Sequence, residues 1–257
     1  MPKALIHYAA YRGHVVGLTR ELAAGVSPNV PDSMQCTPLH LLCHFGGVWP
    51  PVIDDEDYDE ATAVMDYVEC CRLLIEAGTN VNAINVNGDS VLFYAVQGGR
   101  RATTPEVMQV VEMLLAAGAD VHYRGWLSAT PLHSAAAFPA AAGDRLIKAG
   151  AEVNVSDDDD YTPLDSAMDG LSGIPTHRSF PLLLRAGADL PTRPAHPLQH
   201  ERLHPYLEAV IDAGGFARYA QRHLATITAL FARTERLPPE MVRHVVGFWL
   251  HAGYYVY

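Results

Sequence analysis

The chain has 257 residues, a formal net charge of −11 and 49% hydrophobic residues, enough apolar material for one large domain or for an array of small units with an appendage. The acidity argues against nucleic acid as the main partner, because phosphate binding needs a basic surface. No stretch approaches the roughly 18 uninterrupted apolar residues of a spanning helix and the N-terminus lacks a signal pattern, so no membrane association is expected and the expected location is the cytosol or nucleus. Cys36, Cys43, Cys70 and Cys71 lack metal-ligand spacing and read as reduced, buried thiols.

Residues 1 to 27 predict two short helices, with Leu5, Ile6, Ala9 and Ala10 facing the next unit and Leu18, Leu22 and Ala23 on the second helix. Gly25 ends the unit, since a helix closes readily at a residue that can adopt left-handed backbone. Twelve residues later Thr37-Pro38-Leu39-His40 starts another helix. Thr can accept a first-turn N–H, Pro has its φ already set, Leu39 points into a core, and His40 can reach back to the Thr hydroxyl. The same start recurs at Thr130-Pro131-Leu132-His133 and Thr162-Pro163-Leu164-Asp165, and more weakly at Ala4-Leu5-Ile6-His7 and Ser90-Val91-Leu92-Phe93.

The spacing is periodic. Gly25, Gly78, Gly118 and Gly150 each lie twelve residues before the next start, and Gly187 has no successor. Four residues beyond the first four glycines stand Asn29, Asn82, His122 and Asn154. The constant segment reads as helix end, extended hairpin and next helix start. From start to glycine the interval is 21, 41, 28, 20 and 25 residues, so length variation falls between the two helices of a unit.

On these residues the chain resembles the ankyrin repeat, a β-hairpin followed by two antiparallel helices, most closely in "TPLHSAAA", "LLIEAGTNVNAINVNG" and "LLAAGADVH". The resemblance implies a helix-rich ankyrin solenoid of five units over residues 1–191, with β-hairpin loops. It also implies a non-enzymatic module that binds protein through hairpin tips and the inner-helix face. Candidate contacts are Tyr8, Tyr11 and Arg12 on the first inner helix, Tyr94 on the third, Tyr123, Arg124 and Trp126 on one hairpin, and Asp158 and Tyr161 on the next. In the hairpin His122–Ser128, Gly125 and Ser128 replace the usual acidic residue and glycine, so its turn is altered. Tyr, Trp and Arg are the residues that dominate interface anchors; in the other reading Trp126 and Leu127 cover the neighbouring hairpin. Asn82 and Asn154 stand where asparaginyl hydroxylase modifies many ankyrin proteins, each with a Leu eight residues earlier, Leu74 and Leu146.

Two acidic runs interrupt the pattern. Asp54 to Glu60 lies in a proline-containing insert of about twenty residues that includes Trp49, Val52 and Ile53, and Asp157 to Asp160 forms a hairpin tip. They read either as solvated loops or as patches that steer a basic protein partner. Four consecutive Asp lack the alternating ligand positions of a calcium loop.

Pro191, Pro194 and Pro197 end the array, and residues 192–257 are expected to form a C-terminal helical cap. His196, His200 and His204 recur every four residues, but flanking prolines and the lack of a clear fourth ligand favour a helix start over zinc. One helix is predicted from Pro205 to Gly214-Gly215, with Tyr206, Leu207, Val210 and Ile211 apolar, and a longer one over Phe216 to Arg233. The segment 237–250 resembles the opening of an F-box and the truncated F-box-like tail of poxvirus ankyrin proteins. That resemblance implies contact with the adaptor of a cullin-type ubiquitin ligase through Leu237, Pro238, Met241, Val245 and Leu250; the apolar residues of this segment read equally as packing of the cap. No phosphate loop, metalloprotease motif or nucleophile elbow is present, so neither an enzyme nor a cofactor or bound metal is expected. The protein is expected to be a monomer with a protein partner.

Overall fold

Helices of six to twelve residues do not persist alone in water, and most of the helices here are that short, so stacking must hold them. The computed structural model describes residues 5–44, 66–97, 105–137, 142–169, 179–190 and 205–233. Five helix pairs come first: α1 (Leu5–Arg12) with α2 (Val15–Ala23), α3 (Pro38–Cys43) with α4 (Tyr67–Glu76), α5 (Val91–Gln97) with α6 (Pro105–Ala116), α7 (Pro131–Ala137) with α8 (Ala142–Lys148), and α9 (Pro163–Asp169) with α10 (Ser179–Arg185). They are followed by α11 (Pro205–Asp212) and α12 (Phe216–Arg233). The first helices stack in the order α1, α3, α5, α7, α9, and the second helices stack in parallel as α2, α4, α6, α8, α10.

Between the two layers runs one apolar core, from Ile6 through Leu42, Leu74, Leu92, Leu114, Leu132 and Leu146 to Phe180 and Val210. Each unit buries its apolar face only against its neighbours, which makes the array quasi-one-dimensional. Small residues set the closest approaches. Ala135, Ala136 and Ala137 are buried on α7, and a Cβ on Gly143 of α8 would stand 3.0 Å from Leu182 Cδ2 on α10.

The expected helix starts and ends are present. Pro38, Pro131 and Pro163 each open a helix, and the weaker copies open α1 and α5. The expected helix-ending glycines are left-handed, Gly118 with φ 88° and its four equivalents between 82° and 97°. A Cβ at Gly118 would meet nothing within 4 Å, so backbone conformation rather than space selects glycine there.

The hairpins differ from expectation, because no strand occurs among the described residues; within the hairpins Ile84 and Ser90 form an isolated antiparallel bridge. The physical reason is crowding by turns. A first turn closes with Ala83 N–H donating to Asn80 O at 3.1 Å, and a second closes immediately with Asn85 N–H donating to Asp89 O at 3.1 Å. No arm is left long enough for a ladder.

At the other end, Phe180 of α10 stacks on Tyr206 of α11 with ring centroids 6.1 Å apart, and Tyr206 meets Tyr219 of α12 edge-on at 5.3 Å. Leu207 and Val210 enter the common core. Ile211, expected on the same apolar face, is instead exposed, because at about 100° per residue it falls at the edge of the stripe formed by Leu207, Val210 and Ala213. The insert around Trp49, Val52 and Ile53 with the acidic run 54–60, the histidines at 196, 200 and 204, and Leu237, Pro238, Met241, Val245 and Leu250 lie outside the described residues. No described helix is long and apolar enough to cross a membrane.

Candidate interaction surface

Three kinds of side-chain brace recur in the hairpins. The first is the histidine of the helix start. His133 Nδ1 accepts from the Thr130 amide at 3.1 Å, with Thr130 Oγ1 at 2.8 Å from the same nitrogen. A nitrogen that accepts an amide proton carries none, so Nε2 is the protonated one, and it donates to the Tyr161 carbonyl of the following hairpin at 2.9 Å. His40 repeats the arrangement from Thr37 to Asp89, and His7 Nε2 lies 3.2 Å from Cys36 O. Burial holds both rings neutral: it lowers the pKa of His40 to about 4 and lowers that of His133. In the fifth unit Asp165 takes the place of histidine and accepts from the Thr162 amide and hydroxyl at 2.8 and 2.6 Å. A carboxylate can cap the turn but cannot donate onward.

The second brace is an asparagine bridge between successive hairpins. Asn82 Nδ2 donates to Gly118 O at 3.0 Å while its Oδ1 accepts from Asp120 N–H at 2.8 Å. Asn29 bridges to Gly78 and Asn80 in the same way, and Asn154 to Gly187 and Asp189. The third is internal to the tip, where one side-chain oxygen accepts from two amides. Asp32 Oδ1 serves Met34 and Cys36, Asn85 Oδ1 serves Asn87 and Asp89, and Asp157 Oδ1 serves Asp159 and Tyr161.

One hairpin, residues 119–129, departs at all three places. Phe93 stands on α5 where a histidine would donate to it, His122 replaces the bridging asparagine, and Gly125 replaces the internal Asp or Asn. A Cβ at Gly125 would come 3.1 Å from Gly88 O, so a side chain there needs the neighbouring hairpin to give by a few tenths of an ångström. Its tip carries two consecutive left-handed residues that are not glycine, Leu127 at φ 53° and Ser128 at 57°, a conformation costing roughly 1–2 kcal/mol per residue. Trp126 is 64% exposed and Leu127 44%. Most of the Trp126 side chain and nearly half of Leu127 are thus open to solvent, while the Leu127 backbone is what meets the neighbouring hairpin, its carbonyl accepting from Asp158 N–H. Arg124 reaches the next hairpin and donates to Ser156 O, and Tyr123 is half-buried.

Trp126 is part of a row that the sequence reading missed. Met34 and Val86 on the two preceding tips are 44% and 54% exposed. Val86 N–H donates to Met34 O at 3.0 Å, and Asp158 N–H donates to Leu127 O at 2.8 Å. Both Met34 and Leu127 stand three residues before a helix start, and Val86, Trp126 and Asp158 four before. Aligning the units on those starts would have exposed the row.

The other expected contact residues are dispersed. Tyr8, Tyr11 and Arg12 are half-buried on α1. The Tyr94 hydroxyl is hydrogen-bonded by Asn85 Nδ2 at 3.0 Å, its ring lies edge-on to His40 at 5.8 Å, and burial pushes its pKa up to about 12. Those contacts tie its ring and hydroxyl to the neighbouring hairpin and helix. Asp158 is exposed at its tip, while the Tyr161 backbone is tied to His133 and Asp157. Asn82 and Asn154 are exposed but have their amides engaged in the bridges described above. All four cysteines are free and buried, and burial raises the thiol pKa of Cys36 to about 11 and of Cys70 and Cys71 to about 12, which keeps them unreactive. Among the described residues no group of His, Cys, Asp and Glu is placed to hold a metal ion.

No curated protein matches the chain. Residues 61–109, which run across α4, the hairpin containing Val86, α5 and the start of α6, match the family model described as ankyrin repeats in many copies. With the stacked helix pairs, that match supports an ankyrin repeat protein, and ankyrin repeats generally mediate protein–protein interaction.

Proposed function

We propose that the protein is a non-enzymatic interaction module whose hairpin tips hold a partner protein, with the 119–129 hairpin as the principal anchor. The observation that carries this reading is the concentration of departures in that one hairpin. It has no histidine brace, no onward asparagine bridge and no internal Asp or Asn, adds a left-handed Leu127 to the one left-handed residue that every tip carries (Gln35, Gly88, Ser128, Asp160), and presents Trp126 to solvent. A rule broken locally at a cost to stability marks a position kept for something other than the fold, and Trp and Arg are the side chains that anchor interfaces. Tyr8, Tyr11 and Arg12 extend the proposed contact onto the inner-helix face.

The test is affinity capture from a cell lysate with the wild-type chain and with Trp126→Ala/Leu127→Ala, whose exposed positions leave folding nearly unchanged. Loss of a specific protein with the folded variant supports the reading, and an identical captured set overturns it. Recruitment of a cullin-ligase adaptor through the segment 237–250 is a separate proposal, resting on the F-box resemblance. The same capture with Leu237→Asp/Met241→Asp tests it.

A further inference from the structure

The row of tips changes character along its length. It is apolar at Met34, Val86, Trp126 and Leu127, then acidic at Asp158 and Asp159. The four tips are continuous: Val86 N–H donates to Met34 O, a Cβ on Gly88 would lie 4.0 Å from Trp126 N, and Asp158 N–H donates to Leu127 O. The carboxylates are uncommitted. Asp157 is used by the turn, whereas the side chains of Asp158 and Asp159 make no hydrogen bond or ion pair among the described residues. Arg124, the cation on this row, is turned to the Ser156 carbonyl instead. A formal net charge of −11 reinforces the sign of that end.

Stacked helices lie roughly 8–10 Å apart, so the tips from Val86 to Asp158 span about 20 Å, the length of about six extended residues. We infer that this row takes an extended segment of a partner protein whose apolar side chains run on into Lys or Arg: the apolar part covers Val86, Trp126 and Leu127, and the basic part pairs with Asp158 and Asp159. The inference rests on the interaction reading above and specifies its partner. A flanking charge of the right sign raises the association rate and rejects acidic segments.

The test is selection of a displayed random peptide library of about twelve residues, twice the length of the row, against the full chain. Three targets are compared: wild type, Asp158→Lys/Asp159→Lys, and Trp126→Ala/Leu127→Ala. Wild type is expected to enrich peptides with aromatic or aliphatic residues followed by Lys or Arg. The lysine variant is expected to keep the apolar part and exchange the basic part for Asp or Glu, and the alanine variant to lose the apolar part. Peptides that are merely basic, apolar without charge bias, unchanged by the lysine variant, or not enriched at all would each overturn the inference. If selection fails while lysate capture still loses a protein with Trp126→Ala/Leu127→Ala, the partner chemistry is wrong and the interaction reading stands. If capture is also unchanged, both fall.

Discussion

His133 ties its own helix start to the next unit, with Nε2 donating to the Tyr161 carbonyl at 2.9 Å while Nδ1 accepts from the Thr130 amide. One side chain is thus both cap and inter-unit link. His133→Ala removes both and leaves a small void in a fully packed position, so it is expected to destabilise by about 2–4 kcal/mol. Urea unfolding followed by circular dichroism would show it as a lowered midpoint, and a loss under about 1 kcal/mol would contradict the linking role.

The same histidines set an acid limit. The folded pKa of His40 is lowered by burial from 6.5 to about 4, and that of His133 is lowered in the same direction. Between those values the unfolded chain binds protons that the folded chain refuses, so stability rises with pH. The contribution is complete above about pH 6.5 and is lost as pH falls toward 4, amounting to roughly 3 kcal/mol for His40. Thermal midpoints measured from pH 7 to pH 4 should fall, and His40→Gln should flatten the slope.

His122 occupies the bridging position but makes no asparagine-type bridge, only a 4.0 Å approach of Nδ1 to the Glu152 carboxylate of the next hairpin. Asn82→Ala is expected to cost about 1–2 kcal/mol, because it releases Gly118 O and Asp120 N–H together. By the same geometry His122→Asn should add a bridge to the 150–152 segment and raise stability by about 0.5–1.5 kcal/mol. Both are read by denaturant unfolding, and a His122→Asn variant less stable than wild type would contradict the bridge geometry.

The tip of the 119–129 hairpin yields a paired prediction. Ser128→Gly relieves a φ of 57° and should stabilise by about 1 kcal/mol. Gly125→Asp restores the residue type of the other tips but places its Cβ 3.1 Å from Gly88 O, so it should destabilise by about 1–2 kcal/mol. Thermal unfolding of the two variants should move in opposite directions.

Much of this architecture was legible in the chain. The Thr-Pro-Leu-His starts, the glycines twelve residues before them, and the two later helices at Pro205 and Phe216 depend on local capping and backbone preference, which sequence states directly. The proposed contact surface was legible only in part. Tyr94 stood among the candidate contacts because nothing in its own segment reveals that Asn85, nine residues away, holds its hydroxyl. Met34 and Val86 were passed over because each is an unremarkable apolar residue in its own loop. They form a surface only when units stack and Val86 N–H meets Met34 O.

By itself the sequence determined the unit, its period and its ends, since those rest on interactions within a few residues. Only the tertiary structure decided which polar groups are committed and which remain open to a partner. That depends on carbonyls brought from the next unit, as Tyr161 O is to His133 and Gly118 O to Asn82. The 119–129 hairpin, which takes the Asn82 bridge but receives no histidine and passes no asparagine bridge onward, is therefore identified by long-range pairing, although every residue that makes it exceptional was visible from the start.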